Sequence, residues 1–307
     1  MTAETTISIV ITCYSEGAAL EEAVASAETQ QDQNFELLVV NDASVDEETN
    51  RLCRQLEKEE RARVVWRKSN GGLSAARNTG YEHMSGEICI PLDADDVLPD
   101  NCVGTVRNAF HADPSIGYLF GNYKKVIVET GEEQLVDCSE LTTKNGFMAA
   151  EKCLSNWFLL GVSPCRKSTW EKVSGFDQEF SYGGQDVDFW MKVFKEFIPG
   201  RYVESCIYIW KKSAKGMNAK RKGIPLNKLD IIEKNLSTFD AYGLGTLART
   251  RLMRGHLLFG RANRSKRYAR QLLRDRCFGP TQVMVATLPF WISKKLFGLQ
   301  RNRQPAR

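Results

Sequence analysis

Within its first 112 residues the chain repeats one pattern four times: a short apolar run rich in β-branched residues, a polar cluster, then a stretch with helical spacing. The runs are 7–12, 35–40, 64–66 and 87–92; the helical stretches are 17–30, 46–60, 73–84 and 100–110. A run that is apolar throughout, without alternation, is a strand buried on both faces. Strands and helices alternating through short connections predict right-handed crossovers and a mostly parallel sheet covered by helices. Ligands of such sheets bind beyond the carboxyl ends of the strands. That rule gathers Tyr14, Ser15 and Glu16, then Asn41, Asp42 and Ser44, then Asn70, then Asp93, Asp95 and Asp96 at one edge.

Further along, the alternation weakens. Residues 118–120 and 123–128 predict antiparallel strands, and 188–195 a helix. From about residue 227 the pattern is helical and basic, with 247–273 reading as one helix, so a boundary is expected near 225–245. This divides the chain into 1–225, with halves 1–112 and 113–225, and a basic helical region 226–307. Net charge is only +4, but residues 249–307 carry 15 Lys and Arg against the single acid Asp275. An acidic body with a basic tail predicts an anionic partner for the tail. Apolar and aromatic residues of 280–297 beside Lys294 and Lys295 suit an in-plane segment on anionic lipid; a basic helix packed on the rest of the protein is the other reading. No nucleic-acid reader motif is present. The longest apolar run, 283–292, falls far short of the ~20 residues of a membrane-spanning helix. The nine cysteines include no C-x2-C or C-x4-C pair, which argues against a zinc site. With no secretory signal visible at the N-terminus, they read as reduced intracellular thiols, and the expected location is the cytoplasm, at the inner face of the cell membrane if the tail binds lipid.

Three segments carry chemistry. Asp93-Ala94-Asp95-Asp96 puts three carboxylates in four residues at a strand end. Such crowding calls for a hard divalent cation, Mg2+ or Mn2+, shared with substrate phosphates; the same residues also suit a turn before a helix. In Asn41-Asp42-Ala43-Ser44-Val45-Asp46, Asp42 can accept hydrogen bonds from a base or ribose while Ser44 or Asp46 caps the next helix. Gly71-Gly72 before a helix permits close backbone approach to a phosphate, and Arg77 can clamp it.

Taken in order, Ile7-Ser8-Ile9-Val10-Ile11-Thr12-Cys13-Tyr14, Asn41-Asp42-Ala43-Ser44-Val45-Asp46, Gly72-Leu73-Ser74-Ala75-Ala76-Arg77-Asn78 and Leu92-Asp93-Ala94-Asp95-Asp96 resemble the family 2 inverting glycosyltransferases of the GT-A fold. Val173-Ser174-Gly175-Phe176-Asp177-Gln178-Glu179-Phe180 and Gly184-Gln185-Asp186-Val187-Asp188-Phe189-Trp190 continue the resemblance, which spans about residues 6–212. It implies an α/β, Rossmann-like central sheet, mostly parallel and flanked by helices, with the basic helical extension added. It implies transfer from a UDP-sugar to a glycan or lipid-linked acceptor, with inversion, in cell-surface polysaccharide synthesis. By resemblance Thr12, Tyr14 and Glu16 hold the nucleotide, Asp42 bonds the uracil, and Asn70 and Arg77 contact base or diphosphate. Asp93 touches the ribose and, with Asp95, ligates Mn2+ or Mg2+. Asp186 is the general base.

The sequence departs from the family pattern in places. Gln185 stands where Glu is usual, keeping a hydrogen-bonding group on the acceptor side without its charge. Thr12-Cys13 replaces a frequent Pro-Thr. The run Tyr208-Ile209-Trp210-Lys211-Lys212 lacks the family's His, leaving Lys211 or Lys212 to meet the diphosphate or to end a solvated strand. Trp190 and Trp157 are candidates for stacking on a sugar, although their spacing suits core packing better. None of the three histidines lies in a motif. Two other readings compete: a sugar-nucleotide-binding pseudoenzyme or scaffold recruited through its basic tail, and a nucleotidyltransferase, which would want a basic Gly-rich loop after the first strand.

Overall fold

The computed structural model describes residues 6–156, 161, 163–181, 183–213, 226–277, 279 and 285–286. The chain divides into two compact units, Met1–Lys222 and Gly223–Arg307. The first unit opens with β1 (Ile7–Cys13), α1 (Ala19–Glu28), β2 (Glu36–Asn41), α2 (Glu47–Lys58), β3 (Arg63–Trp66), α3 (Gly72–His83), β4 (Ile88–Asp93) and α4 (Cys102–Ala112). These are the predicted strands and helices, with ends shifted by at most two residues. Then follow β5 (Tyr118–Ile127), β6 (Glu133–Val136), α5 (Ala150–Asn156), β7 (Cys165–Arg166), α6 (Lys167–Lys172), α7 (Gln185–Lys195) and β8 (Gly200–Lys212).

One sheet runs through the unit in the order β3-β2-β1-β4-β7-β5-β6, with β8 paired to β5. The pairs β1–β2, β1–β4, β2–β3 and β5–β8 are parallel. Two-residue β7 joins the halves, antiparallel to both β4 and β5. β1 shows why its sequence is apolar throughout. Ile7, Ile9, Ile11 and Cys13 belong to the main apolar cluster, together with residues of α1, α2 and α4. With a two-residue period, Ser8, Val10 and Thr12 face the other way. There α3 approaches so closely that a Cβ on Gly80 would lie 2.4 Å from Val10 Cγ1.

The segments expected as two antiparallel strands, 118–120 and 123–128, form the single strand β5. It runs parallel to β8 along its whole length and antiparallel to β6. The apparent break at Gly121-Asn122 is a register irregularity against β8, not a turn.

The second unit contains α8 (Leu226–Lys234), α9 (Leu236–Ala241), α10 (Gly245–Leu258) and α11 (Ala262–Arg274). The helix expected over 247–273 is thus two helices, broken at Phe259-Gly260-Arg261. Leu252 and Met253 of α10 and Tyr268, Ala269 and Leu272 of α11 are buried. Leu258 and Ala262, which flank the break, are only half-buried. His256 is buried too, its ring stacked on Tyr268 at 5.9 Å. Among the described residues no helix is long and apolar enough to cross a membrane. Trp157 and most of 280–297 lie outside the described residues.

Candidate active site

The site is built around α3. Ser74, Arg77, Asn78 and Tyr81, at i, i+3, i+4 and i+7, share one helix face, and all four engage the segment 170–181. Ser74 Oγ donates to the Asp177 carbonyl (2.8 Å). Asn78 donates to the Phe176 carbonyl (2.8 Å) and accepts from Phe176 N–H (2.8 Å) and Trp170 Nε1 (3.0 Å). Tyr81 stacks on Trp170 with ring centroids 5.3 Å apart. The opposite face, with Ala76 and Gly80, meets β1 and β2. One helix therefore fixes the edge of the parallel sheet against the turn that leads into α7.

Arg77, 4% exposed, lies at the centre. Its Nη2 donates to Asp93 Oδ1 at 2.7 Å, and its guanidinium sits 5.5 Å from the Phe176 ring centroid. Burial disfavours its charge, but Asp93 and then Asp186 outweigh that and leave its pKa above the usual value. Asp186 occupies the first turn of α7, behind left-handed Gly184. Burial raises its carboxyl above the ordinary range, while Arg77 and the Val187 N–H it accepts (2.9 Å) pull the other way. Arg77 is thus ion-paired with Asp93 and lies within the electrostatic reach of Asp186, far away in sequence.

The acids after β4 differ from one another. Asp95 is exposed on its loop, yet loss of surrounding water, with Asp93 and Glu16 nearby, pushes it up to about 6. Asp96 is buried, and burial, then Asp93, raises it to about 8. Tyr208 Oη donates to Asp96 Oδ2 (2.6 Å), and Lys211 N–H to Asp96 Oδ1 (2.7 Å). Glu16 accepts from the N–H groups of Tyr14 and Ser15, and burial lifts its carboxyl. Among the described residues no cluster of three or more His, Cys, Asp or Glu is disposed to hold a metal by itself. The hard oxygens of Asp93 and Asp95 fit a cation that takes its remaining ligands from substrate phosphates and water.

On the other side of β1, Asp42 does not stand free for a base. Its carboxylate accepts from Gly71 N–H (3.1 Å) and Gly72 N–H (2.8 Å) and is paired with Arg67. It thereby closes the Gly-Gly loop, where Gly72 needs its left-handed φ of 75° and a Cβ would lie 2.7 Å from Ser181 Cβ. Asn70 is exposed and accepts from Gly72 N–H (3.1 Å). Asp46 caps α2 as expected, accepting from Thr49 N–H (2.8 Å). Thr12 Oγ1 and Gln185 Oε1 are buried with no hydrogen-bond partner among the described residues.

One expectation needs correction. Trp190 is a core residue, not an acceptor-side surface: it is buried against Tyr118 and Phe189, and its Nε1 donates to the Gly161 carbonyl (3.2 Å). Lys211 is paired with Glu22 of α1. Lys212 is the exposed end of β8. The sequence reading also missed Arg67 and Tyr208, since nothing in a lone Arg or Tyr announces a partner 25 or 112 residues away.

The profile of glycosyl transferase family 2 matches residues 8–163. Glycosyltransferase GlyA of Streptococcus pneumoniae serotype 4 is 31% identical over 117 residues, covering 37% of this chain and 17% of its own. The poly-beta-1,6-N-acetyl-D-glucosamine synthase of Staphylococcus epidermidis is 28% identical over 116 residues, covering 38% of this chain and 28% of its own. The chain therefore spans under a third of the length of these relatives. Among solved structures, S. aureus TarS 1-349 in complex with UDP-GlcNAc superposes with a TM-score of 0.70 at 15% identity, over 97% of this chain and 93% of that one. At that identity the likeness is one of fold.

Proposed function

Because the chain belongs to glycosyl transferase family 2, we propose that it transfers a hexosyl or N-acetylhexosaminyl group from a UDP-sugar to a glycan or lipid-linked acceptor, with inversion, in cell-surface polysaccharide synthesis. The observation that carries the reading is the buried Arg77, ion-paired with Asp93 at the end of β4 and within the electrostatic reach of Asp186 at the start of α7. A single displacement needs a base on the acceptor side and charge compensation on the leaving-group side. These two acids, separated in sequence, supply the two poles. The UDP-GlcNAc held by TarS and the polysaccharide named for the S. epidermidis relative support the donor and product classes.

In this reading Asp186 accepts the proton of the acceptor hydroxyl as its oxygen attacks the anomeric carbon from the face opposite UDP. Burial, which raises its pKa, makes it a stronger base than a solvated carboxylate once ionised. Gln185 Oε1, buried and unpartnered, accepts from an acceptor hydroxyl, and Thr12 Oγ1 meets the nucleotide. Tyr14 and Glu16 line the nucleotide side, Asp42 shapes the Gly-Gly loop that receives it, and exposed Asn70, its Oδ1 held by Gly72 N–H, turns to the base at the rim. Asp95, with Asp93, would hold Mn2+ or Mg2+. A bound cation there supplies charge neutralisation for the departing diphosphate.

The test is UDP release by the full chain with Mn2+ or Mg2+ across UDP-Glc, UDP-Gal, UDP-GlcNAc, UDP-GalNAc and UDP-GlcA, with GDP- and TDP-sugars as controls. Turnover of a UDP-sugar, abolished by Asp95→Ala, is expected. Failure to bind any uridine nucleotide in calorimetry would sink the reading.

The second unit receives its own assignment. Arg267, Arg270 and Arg274 lie at i, i+3 and i+7 on the exposed side of α11, opposite its buried residues. We assign this stripe to an anionic lipid surface. Sedimentation with phosphatidylglycerol vesicles, lost when all three are changed to Glu and absent with phosphatidylcholine, is the expected result; equal sedimentation of both proteins refutes it.

A further inference from the structure

The three acids of the Asp93-Ala94-Asp95-Asp96 loop are equivalent in sequence but not in structure. Asp95 projects to solvent. Asp96 is 4% exposed, and both its oxygens turn to β8, one to the Tyr208 hydroxyl (2.6 Å) and one to the Lys211 N–H (2.7 Å). The Tyr208 hydroxyl in turn accepts from Asp93 N–H (3.4 Å). A phenol can donate and accept at once, so this one side chain grips both ends of the loop. Backbone bonds complete the attachment. Val97 N–H donates to the Ile209 carbonyl (3.2 Å) and Ile209 N–H to the Val97 carbonyl (3.0 Å). Asp96 N–H closes the turn on the Asp93 carbonyl (3.0 Å), and Ala94 N–H reaches the Thr12 carbonyl of β1 (3.3 Å). β1 thus holds the loop from one side and β8 from the other, leaving the Asp95 carboxylate at its apex.

We propose that Asp96 and Tyr208 are positioning residues: they set the Asp93 and Asp95 carboxylates for a divalent cation and the diphosphate of the donor. The inference rests on the glycosyl-transfer reading above. Each Asp96 oxygen already accepts from a donor on β8, and a buried acceptor is costly to strip of its donor, so these contacts hold the Asp96 carboxylate toward β8. Groups that orient metal ligands from behind typically change metal affinity by about 10–100-fold when removed. The signature is therefore a shift in cation requirement without loss of fold.

Tyr208→Phe keeps the ring in the apolar cluster it packs in and removes only the hydroxyl. Asp96→Asn keeps the side-chain shape and removes the charge. Calorimetric titration of UDP into the full-length chain, repeated over a series of Mn2+ concentrations, reads the half-saturating Mn2+ for each protein; thermal melts run alongside. The expected result is wild-type binding of UDP with Mn2+ and a half-saturating Mn2+ raised about tenfold or more in either variant that melts cooperatively. Variants that melt earlier but bind UDP at the wild-type Mn2+ requirement overturn the positioning role and leave the transferase reading standing. A wild-type chain that binds no UDP at any Mn2+ concentration overturns both.

Discussion

Replacing Arg77 with Met removes the cation from a site that buries it beside two carboxylates, and the structure sets the size of the effect. At the 2.7 Å separation from Asp93 and an effective dielectric of about 20, the gross attraction is roughly 6 kcal/mol. Desolvation takes back much of that. Removing one partner of a buried ion pair still costs about 3–5 kcal/mol, because the other charge is left stranded. The Asp93 side chain keeps 28% exposure and can rehydrate, which places the expected loss near the lower end, about 3 kcal/mol. The loss depends on pH. Burial already holds Asp186 above the ordinary carboxylate pKa of about 4, and Arg77 opposes the shift, so its removal raises Asp186 further. A carboxyl whose folded pKa exceeds its unfolded one penalises the fold only as it ionises, from the ordinary value upward through the raised one. The deficit of Arg77→Met should therefore be larger at pH 8 than at pH 5. Urea titration of both proteins, followed by tryptophan fluorescence at the two pH values, reads it directly. Asp93→Asn in the Arg77→Met background should recover at least ~1 kcal/mol relative to additivity, since it discharges one of the stranded acids. A loss under about 1 kcal/mol at pH 8, or a deficit that grows toward acid, would refute the reasoning.

Asp186→Asn should lower transfer by about 10²–10⁴-fold while leaving UDP affinity unchanged in calorimetry. In the wild type, the acid limb of kcat against pH should lie above the ordinary carboxylate range, because burial raises the base and only its ionised form accepts the proton. Trp190→Ala should destabilise the chain by about 3–5 kcal/mol in urea titration, whereas Trp190→Phe should keep most of the stability and the wild-type KM for the acceptor; a raised KM with Phe would return Trp190 to the acceptor side. Asn78→Ala strands a carbonyl, an amide and an indole N–H that the wild type satisfies, and a loss of about 2–4 kcal/mol is expected by the same titration.

The first half was readable from sequence because its signals are local. Four apolar runs, each ending in polar residues, determine strand, face and sheet edge together, and Asp46 three residues before Thr49 announces a cap. The later half resisted because its determinants are distant. β5 looked like two strands since its continuity depends on β8, some 80 residues later. Trp190 could be read either way because a tryptophan one helical turn after Asp186 has the same spacing in a core as in a cleft; burial against Tyr118 decides it. Among the acids, the sequence found the cluster but not its division of labour. Asp42 and Asp96 carry the same side chain as Asp95, and only their partners, Arg67 with two glycine amides in one case and Tyr208 with Lys211 in the other, distinguish a tethered carboxylate from an exposed one.

The order of strands in the sheet has a consequence for synthesis. β1 to β4 pair among residues 7–93, so this half can close upon itself as soon as it has been translated. β5 cannot. All ten of its residues pair with β8, which begins only at Gly200. Until then a ten-residue strand edge stays open, and an open edge is a template for pairing with other chains. Truncations ending after Ile127 but before Gly200 should therefore aggregate even though they retain the first half entire.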